Sequence, residues 1–235
     1  YLTLFNPYKF KDYIKYCDIV APILYPVNKI DENLNHLEQC GIVLRLIKQL
    51  DNKKRIWPIV QAFGEGPNWE RQPTPDEFTN IAFQAVINNA KGLLFYSFAS
   101  AGGKILMPSG KTFWYLLDDK LLVERMKLII SVLKPFTKLF LNDKLAVDYP
   151  VEINGALEYK WFKKDNIYYL FITNPYKDTR YISFESKIFN TVMRMIYPEP
   201  KVFKSKTFKK QNIDINENSI TIEVKYLDSY IFTFE

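Results

Sequence analysis

Up to about position 135, apolar residues fall into two alternating kinds of run. Short runs apolar at nearly every position, such as Ile19-Val20-Ala21-Pro22-Ile23-Leu24 and Gly92-Leu93-Leu94-Phe95, read as strands of a parallel sheet buried on both faces. Longer runs with apolar residues three and four apart, such as Phe78, Ile81, Ala82, Ala85 and Val86, read as helices laying one face on that sheet. The pattern predicts strand 1–5, helix 9–16, strand 18–25, helix 33–50, strand 55–63, helix 75–90, strand 92–98 and helix 117–134. These make four β/α units, spaced close to the ~31 residues per unit of a ~250-residue eight-unit barrel.

Local chemistry supports the helices. Thr74-Pro75-Asp76-Glu77 places an N-cap hydroxyl, a proline at the first helical position and a glutamate three residues after the cap. Leu122, Met126, Ile129 and Leu133 repeat the stripe in the last helix, before Pro135. Beyond Phe136 the pattern changes to short runs broken by turns, among them Val151 to Gly155, Tyr168 to Thr173, Tyr181 to Phe184 and Ser219 to Val224. Such spacing predicts a small antiparallel sandwich. The expected domains are therefore residues 1–137 and residues 138–235.

Composition narrows the function classes only slightly. The chain has 16 Tyr and 18 Phe among 235 residues, which suits β packing or a sugar-binding surface. The net charge of +6 is spread over the chain, and its dense basic runs, Lys53 to Arg55 and Lys201 to Lys210, are short, so nucleic acid is not the expected partner. No apolar run approaches the ~18 residues of a membrane span, so none is expected. Cys17 and Cys40 lack metal-ligand spacing and the lone histidine, His36, falls in a predicted helix, so neither a metal nor a cofactor is expected. The start, Tyr1-Leu2-Thr3-Leu4-Phe5, reads as the inside of a strand, which leads to the expectation of further sequence upstream.

In β/α units chemistry sits in the loops after the strands' carboxyl ends. Alternation along strand 55–63 puts Trp57, Ile59, Gln61 and Phe63 on one face, with Gln61 and Phe63 near the rim. A buried glutamine there either meets a ligand hydroxyl or is satisfied by neighbouring backbone. Glu65, between two glycines, is the candidate catalytic carboxylate, because glycoside hydrolysis needs a pair of Asp/Glu groups about 5 to 10 Å apart. Trp69 suits sugar stacking or lid packing, and Arg71 suits a substrate contact or a loop tie through a carboxylate. Tyr25 and Tyr96 close their strands at the same rim, whereas Asp18 lies at the opposite end, where charge serves stability.

Four segments together resemble the last four strands, with their following turns, of glycosidase-like (β/α)8 barrels: Leu2 to Pro7, Cys17-Asp18-Ile19-Val20 leading to Tyr25-Pro26, Trp57 to Gly64 with Arg71 to Glu77, and Ala90 to Ser97. The tail resembles the small β-sandwich that often follows such barrels. The resemblance implies an α/β fold, a partial TIM-type (β/α)8 barrel of about four β/α units followed by an all-β antiparallel sandwich. In the large clan of retaining glycosidases it is most similar to, the acid/base follows the fourth strand and the nucleophilic glutamate ends the seventh. If strand 55–63 is the seventh, Gln61 stands close to that glutamate, and an amide cannot act as the nucleophile. Ile23 and Leu24 also stand where relatives often carry an acidic residue before the Tyr-Pro.

The resulting expectation is a glycoside-hydrolase-like protein acting on carbohydrate, with part of its catalytic apparatus upstream. The alternative is a non-catalytic carbohydrate-binding barrel protein. In either case the open sheet edges would also allow two half-barrels to pair as a homodimer.

Overall fold

The computed structural model of the chain describes residues 2–4, 7–64, 69–97, 105–106, 112–113, 115–185, 193–198, 201–203, 208–210, 213–215 and 219–234. It divides into two units, Tyr1–Pro135 and Phe136–Glu235.

In the first unit β1 (Leu2–Leu4), β2 (Ile19–Leu24), β3 (Arg55–Ile56), β4 (Ile59–Gln61) and β5 (Leu94–Tyr96) form one parallel sheet in the order β1-β2-β4-β5, with β3 also paired to β2. Between and after them run α1 (Phe10–Tyr13), α2 (Gln39–Leu50), α3 (Pro75–Ile87) and α4 (Lys120–Leu133). A two-stranded antiparallel ribbon, β6 (Ile105–Leu106) with β7 (Thr112–Phe113), separates β5 from α4 in sequence.

The two faces of the sheet are unequally covered. Val20, Leu24, Ile56 and Val60 are all 2% exposed or less, on the side where α2 packs on β2 and α3 on β4. On the other side Ile23 and Ile59 are half-buried and Leu94 is 37% exposed. These three share one row, since Ile23 pairs with Ile59 and Ile59 with Leu94.

Two departures from the expected boundaries have local causes. The helix expected from residue 33 begins only at Gln39, after a 3-10 turn over Glu32–Leu34. The buried Asn35 side chain prevents an earlier start: its Oδ1 accepts from the N–H groups of Asn28 and Lys29 and its Nδ2 donates to the Lys29 carbonyl, tying this stretch to the preceding loop. His36 consequently lies outside the helix, exposed. The strand expected over 55–63 is split at Trp57-Pro58, because proline has no N–H for the ladder. Its register does not slip, and the Pro58 carbonyl still accepts from Leu94 N–H at 3.0 Å.

The second unit begins with α5 (Thr137–Leu141) and a 3-10 turn over Asp143–Leu145, and its other described elements from there on are strands. One antiparallel sheet has the order β14-β13-β18-β11-β10-β8, from β8 (Ala146–Val147), β10 (Glu158–Lys164), β11 (Ile167–Thr173), β13 (Met193–Tyr197), β14 (Lys201–Phe203) and β18 (Ser229–Phe234). The other has the order β15-β16-β17-β12-β9, from β9 (Glu152–Ile153), β12 (Arg180–Glu185), β15 (Phe208–Lys210), β16 (Ile213–Ile215) and β17 (Ser219–Val224). Both contribute to one buried cluster, in which Trp161 packs on Phe184 at 5.1 Å and Phe234 at 5.4 Å between ring centroids. The β10–β11 hairpin turns through Asp165 and Asn166 at φ 52° and 64°, a left-handed pair that these two residue types tolerate.

Candidate functional site

The carboxyl ends of three neighbouring strands bring the predicted rim residues together. Gln61 pairs with Tyr96, and Tyr25 directly follows Leu24, the partner of Val60, so Tyr25, Gln61 and Tyr96 form one row across β2, β4 and β5. Around this row sit four aromatic rings. Tyr25 stacks beside Tyr96 at 6.0 Å and meets Phe63 edge-on at 4.8 Å. Trp69, arriving from the loop after β4, lies edge-on to Phe63 at 5.0 Å and to Tyr25 at 6.0 Å. Phe63 is 2% exposed and forms the floor, while Tyr96 is 49% exposed and Tyr25 and Trp69 are half-buried. Such edge-to-face and offset pairs hold one another in place.

Two further candidates have other duties. The Gln61 side chain is fully buried: its Nε2 donates to the carbonyls of Val27 at 2.7 Å and Phe63 at 3.2 Å, and its Oε1 accepts from Val27 N–H at 3.1 Å. Both amide protons are thus engaged with backbone, the arrangement of a structural amide. Arg71 meets the Glu77 carboxylate in a two-pronged ion pair, at 2.6 and 2.7 Å, and donates to the carbonyls of Lys29 and Gln72. Its bonds are those of the loop tie. Glu65 lies outside the described residues, as do positions 66–68.

The loop carrying Trp69 is joined at several points to the segment after β2. Glu70 N–H donates to the Asn28 carbonyl, and the Glu70 carboxylate accepts from Lys29 Nζ at 3.0 Å and Ile30 N–H at 3.1 Å. On the other side Gly64 lies so close to the Arg71-Gln72 backbone that an added Cβ would collide with it. Glu77, 1% exposed, binds Arg71 while its Oε2 also accepts from Thr74 N–H, so one carboxylate both caps α3 and holds the loop. Sequence reading identified the capping box but not this second duty. It also missed Asn35, which reaches back six and seven residues to Lys29 and Asn28, and the Val27 backbone, 34 residues from Gln61 and beyond any local signal.

Burial, with the neighbouring Tyr96 adding to it, pushes the Tyr25 phenol well above its ordinary range, so it remains a neutral hydrogen-bond donor. Ser97 Oγ, directly after the row, and Gln72 Nε2 are buried without a hydrogen-bond partner among the described residues. Among the described residues no group of three or more His, Cys, Asp or Glu could hold a metal ion, and no helix is long and apolar enough to cross a membrane. The site therefore offers apolar ring faces beside the Tyr25 and Tyr96 hydroxyls, an arrangement able to meet the C–H faces and hydroxyls of a sugar.

Sequence comparison matches no protein-family model and no curated protein. Comparison of structures does find similarity. The chain is similar to the GH51 arabinofuranosidase from Xanthomonas axonopodis pv. citri, with a TM-score of 0.52 and 10% identity, over 99% of this chain and 57% of that one. The fold is glycosidase-like. Lower scores relate it to a noncanonic maltogenic alpha-amylase from Thermotoga neapolitana (TM-score 0.49, 12% identity, 99% of this chain and 53% of that one). A GH30 endoxylanase from Clostridium papyrosolvens scores 0.42, at 11% identity over 94% of this chain and 50% of that one. The chain thus spans about half the length of these structures.

Proposed function

We propose that this glycosidase-like chain is the carbohydrate-handling part of a glycoside-hydrolase-like protein. In this reading residues 1–137 are the carboxyl-terminal half of a (β/α)8 barrel, with about four β/α units, and residues 138–235 an antiparallel β-sandwich. The cluster of Tyr25, Phe63, Trp69 and Tyr96 at the strands' carboxyl ends carries the proposal. Sugar rings lie with their C–H faces on Trp69 and Tyr96, while the Tyr25 hydroxyl donates to a sugar oxygen. Gln61 and Arg71 act as positioning residues beneath this surface.

Hydrolysis of an O-glycosyl bond requires two carboxyl groups, one as general acid and one as nucleophile or base. Glu65 is assigned one of these roles on its sequence position after Gly64. The other is assigned to strands that complete the barrel, supplied by further sequence of the same protein or by a second copy paired through the edges of β1 and β5. The alternative, carbohydrate binding without hydrolysis, is favoured by one observation. Glu70, Asp76 and Glu77, the described carboxylates of this loop and helix, are all engaged in ion pairs.

Binding and hydrolysis of xylo-, arabino- and malto-oligosaccharides, measured on the protein containing this chain, test both readings. Trp69→Ala and Tyr96→Ala are expected to weaken binding about five-fold each, corresponding to the loss of about 1 kcal/mol of ring contact. Binding unchanged in both variants refutes the rim as a sugar site. Glu65→Gln then separates the readings, abolishing hydrolysis in the enzyme and changing nothing in a protein that only binds.

A further inference from the structure

We propose that the second unit holds a carbohydrate-binding subsite of its own, in a cleft of about 370 Å³ lined by Tyr149, Val151, Glu152, Ser183, Glu185 and Ser219. Its volume lies at the lower end of the ~300 to 1,000 Å³ typical of small-molecule sites.

The cleft has a definite structural origin. β9 pairs with β12 only through Ile153 opposite Ile182 and Glu152 opposite Ser183. Two residues further along this register Pro150 would face Glu185, and a proline has no N–H to continue the ladder. The Glu185 carbonyl accepts instead from the Tyr149 hydroxyl, at 3.2 Å. The edge of β12 thus opens into a hollow rather than a paired strand.

The walls of this hollow are rigid and chemically mixed. The Tyr149 ring leans on Trp161 at 4.9 Å and meets Phe184 edge-on at 6.2 Å, so it is fixed before any ligand arrives. Burial, then Tyr168 and Glu185, raise the Tyr149 phenol, which keeps it neutral. Glu152 and Glu185 are exposed, and neither carboxylate has a hydrogen-bond or ion-pair partner among the described residues. The Ser183 hydroxyl is held by Thr221 Oγ1 at 2.9 Å on β17.

A fixed aromatic ring and a valine beside two acceptor-only carboxylates match a neutral sugar. Its C–H face meets the apolar wall, and its hydroxyls donate charge-assisted hydrogen bonds to the glutamates. Two carboxylates are too few for a dedicated calcium site, which takes six to eight oxygen ligands. A basic peptide is the competing class, since the same carboxylates would attract lysine or arginine.

Calorimetric titration of the full chain with xylohexaose, cellohexaose and maltohexaose tests the subsite. A Trp69→Ala/Tyr96→Ala background removes the rim of the first unit, so its binding cannot be mistaken for this one. At least one hexaose is expected to bind this background, and adding Glu152→Gln and Glu185→Gln is expected to weaken that binding about tenfold. These surface changes should leave the thermal transition in place, so lost binding cannot be ascribed to unfolding. Three outcomes overturn the subsite: no hexaose binds, binding survives both glutamine changes, or the cleft takes up a tetralysine peptide in place of every hexaose.

Discussion

At the scale of single residues, Glu77 carries more than its place in a helix suggests. Its carboxylate is 1% exposed and serves the Thr74 cap and the Arg71 guanidinium together. Removing one partner of a buried ion pair typically costs about 3 to 5 kcal/mol, so Glu77→Ala is expected to lower unfolding stability by that amount. Thr74→Ala should cost only about 1 kcal/mol, the usual value of an N-cap. Thr74→Ala removes the Oγ1 that accepts from Glu77 N–H, and Glu77→Ala removes the carboxylate that accepts from Thr74 N–H. Because these are the two halves of one capping box, the two losses should not add, and urea titration of both single variants and the double variant will measure the shortfall. Tyr25 makes a prediction about pH. Its raised phenol keeps its proton in the folded chain where an unfolded tyrosine begins to lose one, near pH 10. The folded state then binds more protons than the unfolded state, so Tyr25 makes stability fall as pH rises beyond about 10. Tyr25→Phe should flatten that decline, read as the urea midpoint between about pH 9 and 11 and compared with the unaltered chain.

At the scale of elements, the readable signals were short in range and the missed ones long. Helix α3 was legible because its cap, proline and glutamate lie within four residues, and the structure shows the complete capping box. The aromatic cluster was legible because alternation along β4, and the ends of β2 and β5, place these residues at one rim. The start of α2 was not legible, since it depends on Asn35 reaching back to Asn28 and Lys29. Strand β10 escaped notice because Lys160, Lys163 and Lys164 break its apolar alternation, although Trp161 and Phe162 are buried. The amide of Gln61 found its partner at Val27, 34 residues away, which no local pattern reveals. Gly64 supplies a prediction at this scale. A Cβ there would strike the Arg71-Gln72 backbone, so Gly64→Ala should displace the loop bearing Trp69 and shift the tryptophan fluorescence even where the sheet remains folded.

At the scale of the whole molecule, the uneven burial of the parallel sheet is the dominant fact. The helix-covered face is closed, while Ile23, Ile59 and Leu94 on the other are partly open to solvent. Among the described residues β1 and β5 are each paired along one side only. If two copies complete one barrel, as proposed, light scattering behind size exclusion should give twice the 27.8 kDa chain mass. Leu94→Lys, a charge on the open face, should restore the single mass. A monomer at every concentration would remove pairing between copies and leave completion to further sequence of the same protein. The clasp between Gln61 and Val27 matters for any attempt to alter what the rim accepts. Because that amide grips the second strand's loop from the end of the fourth, the two loops shift together. A variant that reshapes residues 25–30 will drag Phe63 and Trp69 with it, so sugar preference here will change in coupled steps rather than one pocket wall at a time.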